Sequence, residues 1–242
     1  NLQIPTKAKK EIQNTIEFEL EDDLPFKMED TAFDSAILSQ GKTGTHVHIA
    51  ATLKKYLAEF IFKLEDAGIS ADVVTSEAWA YRTFFNHMLP PEESETPAML
   101  IHFGAEQTSL YVHWKGYPVI LRHVNWGGNS LTQSIAKKYK IKSHEAEKAK
   151  IESGFVLTEA QRAQATPEQR TYSDALRDTM DSLFLSIRQT TLSCKAECGK
   201  NPSRIYICGG TALLPGLSKL IRDETGISTE TLKGLTHVSK SE

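Results

Sequence analysis

Two short turns in this sequence carry glycine directly after an apolar strand, an arrangement that lets backbone N–H groups come close to a phosphate or a ribose. The first is Leu-Ile-His-Phe-Gly-Ala-Glu-Gln-Thr, residues 100–108, and the second is Ile-Tyr-Ile-Cys-Gly-Gly-Thr-Ala-Leu-Leu-Pro-Gly, residues 205–216. In the second, a strand, a paired glycine and a helix N-terminus together look like half of a nucleotide site, since the helix dipole favours negative charge. The same pattern also serves as a plain tight strand-to-helix turn. Between the two lie a Gly-Gly-Asn-Ser-Leu-Thr turn (127–132), the run Glu145-Ala-Glu147-Lys148-Ala-Lys150 and a long helical segment.

Other reactive residue types have simpler explanations. His46 and His48 lie two apart on an expected strand and share a face, a start on a zinc site; no third ligand stands nearby, and a solvated strand accounts for them. Cys194 and Cys198 are spaced i, i+4 on an expected helix, a spacing found in metal sites but too long for an easy disulfide. As small buried hydrophobes they need no further role. No local Ser-His-Asp or Cys-His nucleophile signature is present. Trp114 and Trp126 flank a strand meander and read as packing residues.

Hydrophobic periodicity supplies the elements that must position these turns. Ala8, Ile12, Ile16 and Leu20 recur every four residues, predicting a helix closed by Pro25. Ala32 to Leu38 and Thr45 to Ala50 read as a hairpin across the turn at 40–44. Leu53, Tyr56, Leu57, Phe60, Ile61 and Leu64 give the strongest helix signal, with Gly68 placed as its C′ residue. A strand at Ala71 to Thr75 and a helix at Glu77 to Met88 follow. Pro90-Pro-Glu-Glu-Ser-Glu-Thr-Pro97 reads as a linker, so the expected division is a unit at 1–89, a linker at 90–97 and a second unit at 98–242.

In the second unit, Met99 to Phe103, Ser109 to Trp114 and Pro118 to Val124 predict an antiparallel meander. A helix with Leu131, Ile135 and Tyr139 inward comes next, then a short helix with Ser143 as its N-cap. The stretch 158–166 is polar. Pro167 then opens one long helix to about Gly199, with Tyr172, Leu176, Met180, Leu183, Ile187 and Cys194 facing inward. The chain is expected to close with a strand at Ile205 to Cys208, a helix from Ala212 to Thr225 stopped by Gly226, and a frayed polar tail.

Composition bounds the function. The 242 residues are enough for one large or two small domains, and 40% hydrophobic with 24% charged residues exclude disorder and collagen-like repetition. Lys and Arg number 28 against 31 acids, a net charge of -3, so the overall balance draws the chain to neither nucleic acid nor anionic lipid. Three cysteines favour a reducing compartment, with the cytoplasm as the default. No stretch approaches 18 consecutive apolar residues, so no membrane span is expected. The chain lacks an initiator Met and reads as a piece of a longer protein.

The segments IHFGAEQTSLYV, VNWGGNSLTQSIAKKY, HEAEKAK and ICGGTALLPGLSKLIRDETGI, in that order, resemble the actin-like family. Within it they are most similar to the PilM family of type IV pilus assembly proteins, with the cytoplasmic part of the type II secretion family GspL as a near relative. The resemblance implies an α/β fold with α+β parts: an actin-like ATPase fold lacking its first subdomain, with a small inserted α+β subdomain before the linker. Residue by residue it implies Gly104, Ala105 and Thr108 in a phosphate loop, Glu147 and Lys150 as ribose and base contacts, and Gly209, Gly210 and Thr211 in an adenosine turn. It assigns no catalytic residue and no metal ligand.

His102 stands where the family pattern has the aspartate associated with magnesium, and Ser109 where PilM-like sequences often have a second acid. An imidazole with a reference pKa of about 6.5 is mostly neutral at pH 7 and cannot replace a carboxylate as a hard-cation ligand. The resemblance therefore implies that ATP with magnesium binds weakly or not at all. It implies a cytoplasmic adaptor or scaffold, peripheral to the inner membrane of a bacterium, in a type IV pilus or type II secretion platform. The partners implied are the cytoplasmic N-terminal peptide of a PilN-like membrane protein and other assembly proteins, including the assembly ATPase. Two alternatives stay open: an actin-like ATPase, which needs a complete phosphate clamp and an acidic magnesium site, and an FtsA-like polymer-forming protein, which needs a head-to-tail interface.

Overall fold

The computed structural model describes residues 1–41, 44–88 and 95–232. The centre of the 40–44 turn, most of the expected linker and most of the expected polar tail lie outside the described residues. The chain divides into two compact units, Asn1–Ala80 and Tyr81–Glu242. This division falls earlier than the expected end at 89, because the second half of the Glu77–Met88 helix (α3) packs within the second unit. Phe85, 1% exposed, stacks on His113 at 5.1 Å and meets the rings of Tyr111 and Tyr206.

The first unit is a three-stranded antiparallel sheet with strands in the order β1-β3-β2, where β1 is Leu2–Ile4, β2 Thr31–Gly41 and β3 Gly44–Leu53. Helix α1, Lys9–Asp23, covers one face through Ile12, Ile16 and Leu20, which form a core with Ile4 and Val47. Period-four spacing thus places its face as expected, except that Ala8 is the exposed N-cap outside the helix. Helix α2, Lys54–Asp66, forms where predicted but buries none of its residues. Tyr56 and Phe60 are more than half exposed. The strand expected at 71–75 does not form. That segment lies over the outer face of the hairpin, where Val73 and Val74 become a wall rather than ladder partners.

The second unit is built on a five-stranded sheet in the order β6-β5-β4-β7-β8. The meander of β4 (Ala98–Phe103), β5 (Thr108–Trp114) and β6 (Tyr117–Val124) is antiparallel, while β7 (Arg204–Gly209) and β8 (Ser228–Thr231) run parallel to β4. One sheet face is largely apolar: Met99, Ile101, Phe103, Leu110, Val112, Ile205 and Ile207 pack with Leu183, Ile187 and Cys194 and with Leu217, Leu220 and Ile221 in one core. Trp126 joins this core at 2% exposure. Helices α4 (Gly128–Tyr139), α5 (Ser143–Ser153) and a single turn, α6 (Glu159–Arg162), lead to the segment expected as one long helix.

That segment is two helices, α7 (Pro167–Arg177) and α8 (Asp181–Cys198). The Thr179 hydroxyl donates to the Leu176 carbonyl at 2.8 Å and accepts the Trp126 indole N–H at 3.2 Å, and the backbone tightens into i to i−3 bonds there. The inward set still faces the core on both pieces, with Tyr172 half-buried and Leu176 through Cys194 buried. The N-cap of α5 is Lys142 rather than Ser143, and the Glu145 carboxylate accepts the Lys142 backbone N–H. Helix α9 begins only at Leu217 and ends at Thr225, because Pro215 and Gly216, at φ +91°, separate it from a 3₁₀ turn at Gly210–Leu213. Strand β8 replaces the start of the expected tail. Its four polar residues, Ser-Thr-Glu-Thr, give no apolar alternation from which a strand could be read.

Candidate functional site

Parallel pairing of β4 with β7 puts Phe103 beside Gly209. The turns that follow both strands therefore emerge together at their carboxyl ends, the place where open α/β sheets bind ligands. Gly209 has φ +90°, and a Cβ there would stand 2.2 Å from the Phe103 carbonyl oxygen, so both the turn and the close approach of the strands require glycine. The 104–107 turn closes on itself through Gly104 N–H to the Gln107 carbonyl, 3.0 Å. The Gly104 and Ala105 carbonyls then accept the N–H groups of Gly128 and Asn129 at 3.0 and 2.8 Å, seating the first turn of α4 on the loop. The Thr108 hydroxyl, fully buried, donates to the Trp126 carbonyl at 2.7 Å.

Gly128 is where the expected site residues meet. A Cβ on it would lie 3.0 Å from Thr211 Oγ1 and 3.3 Å from Lys150 Nζ. Glu147 and Lys150, one turn apart on α5, reach this point from one helix face. The Lys150 ammonium donates to the Gly128 carbonyl at 3.0 Å, to Thr132 Oγ1 at 2.8 Å and to Glu147 Oε2 at 2.7 Å. Thr132 in turn donates to Glu147 Oε2. Those hydrogen bonds, from Lys150 first and Thr132 second, hold the Glu147 carboxyl below the usual range. The structure thus brings Gly104, Ala105, Glu147, Lys150, Gly209 and Thr211 into one cluster with Gly128 and Thr132, residues of the 127–132 turn to which sequence reading gave no contact role. Gly210 sits exposed on the second turn, and the Thr108 hydroxyl is committed within the fold. A serine-or-threonine helix position facing an i, i+3 Glu-Lys pair was the available signal for Thr132.

The ammonium of Lys150 has three donors, and three protein acceptors take them. The cluster is a clasp joining α4, α5 and the 104–107 turn, and its cation is turned inward, with the side chain 11% exposed. Magnesium does not fit the neighbouring positions. His102 Nδ1 bonds the Tyr81 hydroxyl at 2.6 Å, and His102 lies in register with Ser109, whose Oγ is 3.2 Å from His123 Nδ1. This row offers imidazole and hydroxyl groups where a hard cation requires carboxylate oxygen.

The remaining candidates have ordinary surroundings. His46 is exposed, and His48 bonds Asn1 Oδ1 at 2.9 Å and stacks on Trp79. Among the described residues no group of three or more His, Cys, Asp or Glu is placed to hold a metal ion, and no helix is long and apolar enough to cross a membrane. Burial, with Cys198 beside it, pushes the Cys194 thiol up to about 12, and its Sγ donates to the Lys200 carbonyl. Sequence reading also missed a groove on the outer face of the β2–β3 hairpin, about 630 Å³ in volume. Ala32, Ala36 and Ala50 floor it, and Leu57, Val73, Val74 and Trp79 wall it.

A meander followed by parallel returns, with glycine turns at the ends of β4 and β7 and a helical hairpin between them, defines an actin-like fold. The fold matches MreB5 of Spiroplasma citri bound to ADP, at TM-score 0.54 and 17% identity over 75% of this chain and 61% of that one. The AMPPNP-bound form matches at TM-score 0.51 and 16% identity, over 74% of this chain and 60% of that one. Residues 3–242 match the profile of the type IV pilus assembly protein PilM, and the chain belongs to that family. A solved PilM-PilN type IV pilus biogenesis complex is similar at TM-score 0.76 and 24% identity over 96% of this chain. The match covers 65% of that relative, so the chain spans slightly under two thirds of its length.

Proposed function

We propose that this chain is part of a cytoplasmic adaptor, peripheral to the bacterial inner membrane, that holds a membrane-anchored PilN-like protein by its N-terminal cytoplasmic peptide within a type IV pilus or type II secretion platform. The observation that carries the reading is the groove on the β2–β3 hairpin. An alanine floor with Leu57, Val74 and Trp79 at its walls accepts apolar side chains of an extended segment, and Asp34 adds one carboxylate to the lining. Family membership supplies the partner class, since a relative was solved as a PilM-PilN complex. Other assembly proteins, including the assembly ATPase, would attach to the adaptor elsewhere.

The Gly104, Gly128, Lys150 and Thr211 cluster serves in this reading as a structural clasp, and adenine nucleotide with magnesium binds it weakly or not at all. Lys150 spends its donors on protein acceptors, and the His102 row supplies no hard oxygen anion, so the residues do not fit magnesium-dependent phosphoryl transfer. Affinity capture of the native full-length protein from detergent-solubilised cells tests the function. It should bring down the PilN-like partner with the protein, and deleting the partner's cytoplasmic N-terminal peptide should abolish the capture; capture unchanged by that deletion would contradict the adaptor reading.

A further inference from the structure

The chain is acidic overall, yet Lys137, Lys138, Lys140 and Lys142 fall within six residues at the corner where α4 ends and α5 begins, with Tyr139 and Ile141 between them. Every residue from 137 to 145 is exposed, Tyr139 at 48% and Ile141 at 36%. Glu145 is the acid within this stretch, and its carboxylate is engaged in capping α5. From the neighbouring α7, Asp174 is held by Arg162, while the Thr171 carbonyl accepts the Lys138 ammonium at 2.6 Å.

Helix electrostatics account for half of this cluster. Lys137 and Lys138 lie in the last turn of α4, where cations suit the negative end of the dipole. Lys140 and Lys142 are set against local preference. Lys140 has φ +54°, a left-handed position that normally goes to glycine or asparagine. Lys142 is the N-cap of α5, at the positive end of that helix, where a cation is disfavoured and Ser, Thr, Asp or Asn are preferred. Neither side chain meets an acid within ion-pair distance among the described residues, and both point their charge to solvent at exposed positions.

We propose that this corner is a docking surface for the anionic headgroups of a phospholipid bilayer. The lysines take the lipid phosphates, and Tyr139 and Ile141 settle at the boundary between headgroups and acyl chains. Cations interleaved with an amphipathic ring and an aliphatic side chain suit that interface. Ile141 has no role against a soluble polyphosphate or a nucleic acid, which favours the bilayer over either. The surrounding negative charge is screened beyond about 8 Å at physiological salt, so a protruding corner can bind where the whole chain would be repelled. The inference does not depend on the peptide partner, because lipid alone is the ligand.

Flotation of the 242-residue chain with phosphatidylcholine vesicles, with and without 30% phosphatidylglycerol, tests it. Binding should require the anionic lipid and weaken with salt. At about fivefold per lysine, the triple variant Lys137→Ala, Lys140→Gly, Lys142→Ala should lose roughly a hundredfold in partitioning. The exposed positions and a glycine at the left-handed site leave its fold intact, checked by circular dichroism. Tyr139→Ser with Ile141→Ser should weaken binding several-fold while keeping its salt dependence. A control removing as much charge elsewhere, Lys7→Ala, Lys9→Ala, Lys10→Ala, should change little. No preference for anionic vesicles, an equal loss in the control, or tighter binding to a single-stranded oligonucleotide that the triple variant abolishes would overturn the proposal.

Discussion

Tyr111 and His113 share a 3.1 Å hydrogen bond two residues apart on β5, both buried and both beside the Phe85 ring. Burial raises the tyrosine hydroxyl well above its ordinary value. Burial, with the positive Arg82 adding to it, lowers His113 to about 4. The pair is therefore neutral, and it lines the sheet face that α3 covers.

This sets a pH dependence of stability. Above about 6.5 the imidazole is neutral folded and unfolded, so it adds no proton linkage. As pH falls from 6.5 toward 4, the unfolded chain takes up a proton that the folded chain refuses. Up to about 3 kcal/mol of stability should be lost across that window, at about 1.4 kcal/mol per unit. Urea midpoints at pH 7.0, 5.5 and 4.5 check this, and His113→Leu should flatten the slope; an unchanged slope would assign it to other groups.

Gly209→Ala should destabilise the second unit by about 3 kcal/mol or more, since a left-handed residue is combined with a backbone overlap. Gly199→Ala, at φ +70° with nothing within 4 Å, should cost only about 1–2 kcal/mol. Near-equal effects in chemical denaturation would show that the β4–β7 approach is looser than the geometry states.

Lys150→Met removes the cation from the clasp and leaves Glu147 and the Gly128 carbonyl without their shared donor. A loss of about 1–3 kcal/mol is expected. Calorimetry with Mg-ATP should show the same weak or absent binding in the wild-type chain and in this variant. Tight binding in the wild type alone, with phosphate release, would make Lys150 a nucleotide ligand and the chain an enzyme.

The thiols provide a further check. Cys194 and Cys198 are buried on the core side of α8, and burial raises both thiols. A thiol-specific disulfide reagent should modify them at the rate of unfolding; fast labelling under native conditions would mean that α8 is not packed as described.

Much of this architecture was legible in the sequence because it rests on periodicity. Ile12, Ile16 and Leu20 gave α1 its face, and the alternating meander residues gave β4 to β6. Glycines after apolar strands marked both turns of the site. Tertiary context decided the rest. The 71–75 stretch is β-prone but became a groove wall, α2 left Tyr56 and Phe60 of its apolar stripe in water, and Thr179 broke a helix whose inward spacing continues across the break. The inward role of Lys150 was hidden because it depends on Thr132, eighteen residues earlier and on another helix.

The central claim is that the hairpin groove holds a partner's peptide. Fluorescence anisotropy of a labelled N-terminal peptide from a PilN-like protein, titrated with this chain and with Ala50→Phe, tests it most directly, since the phenyl ring would fill the groove floor between Ala32, Ala36 and Trp79. The account predicts saturable binding by the wild-type chain and a loss of tenfold or more in the variant, with thermal stability of the folded chain retained. Equal affinity in both, or no binding by either, would contradict it.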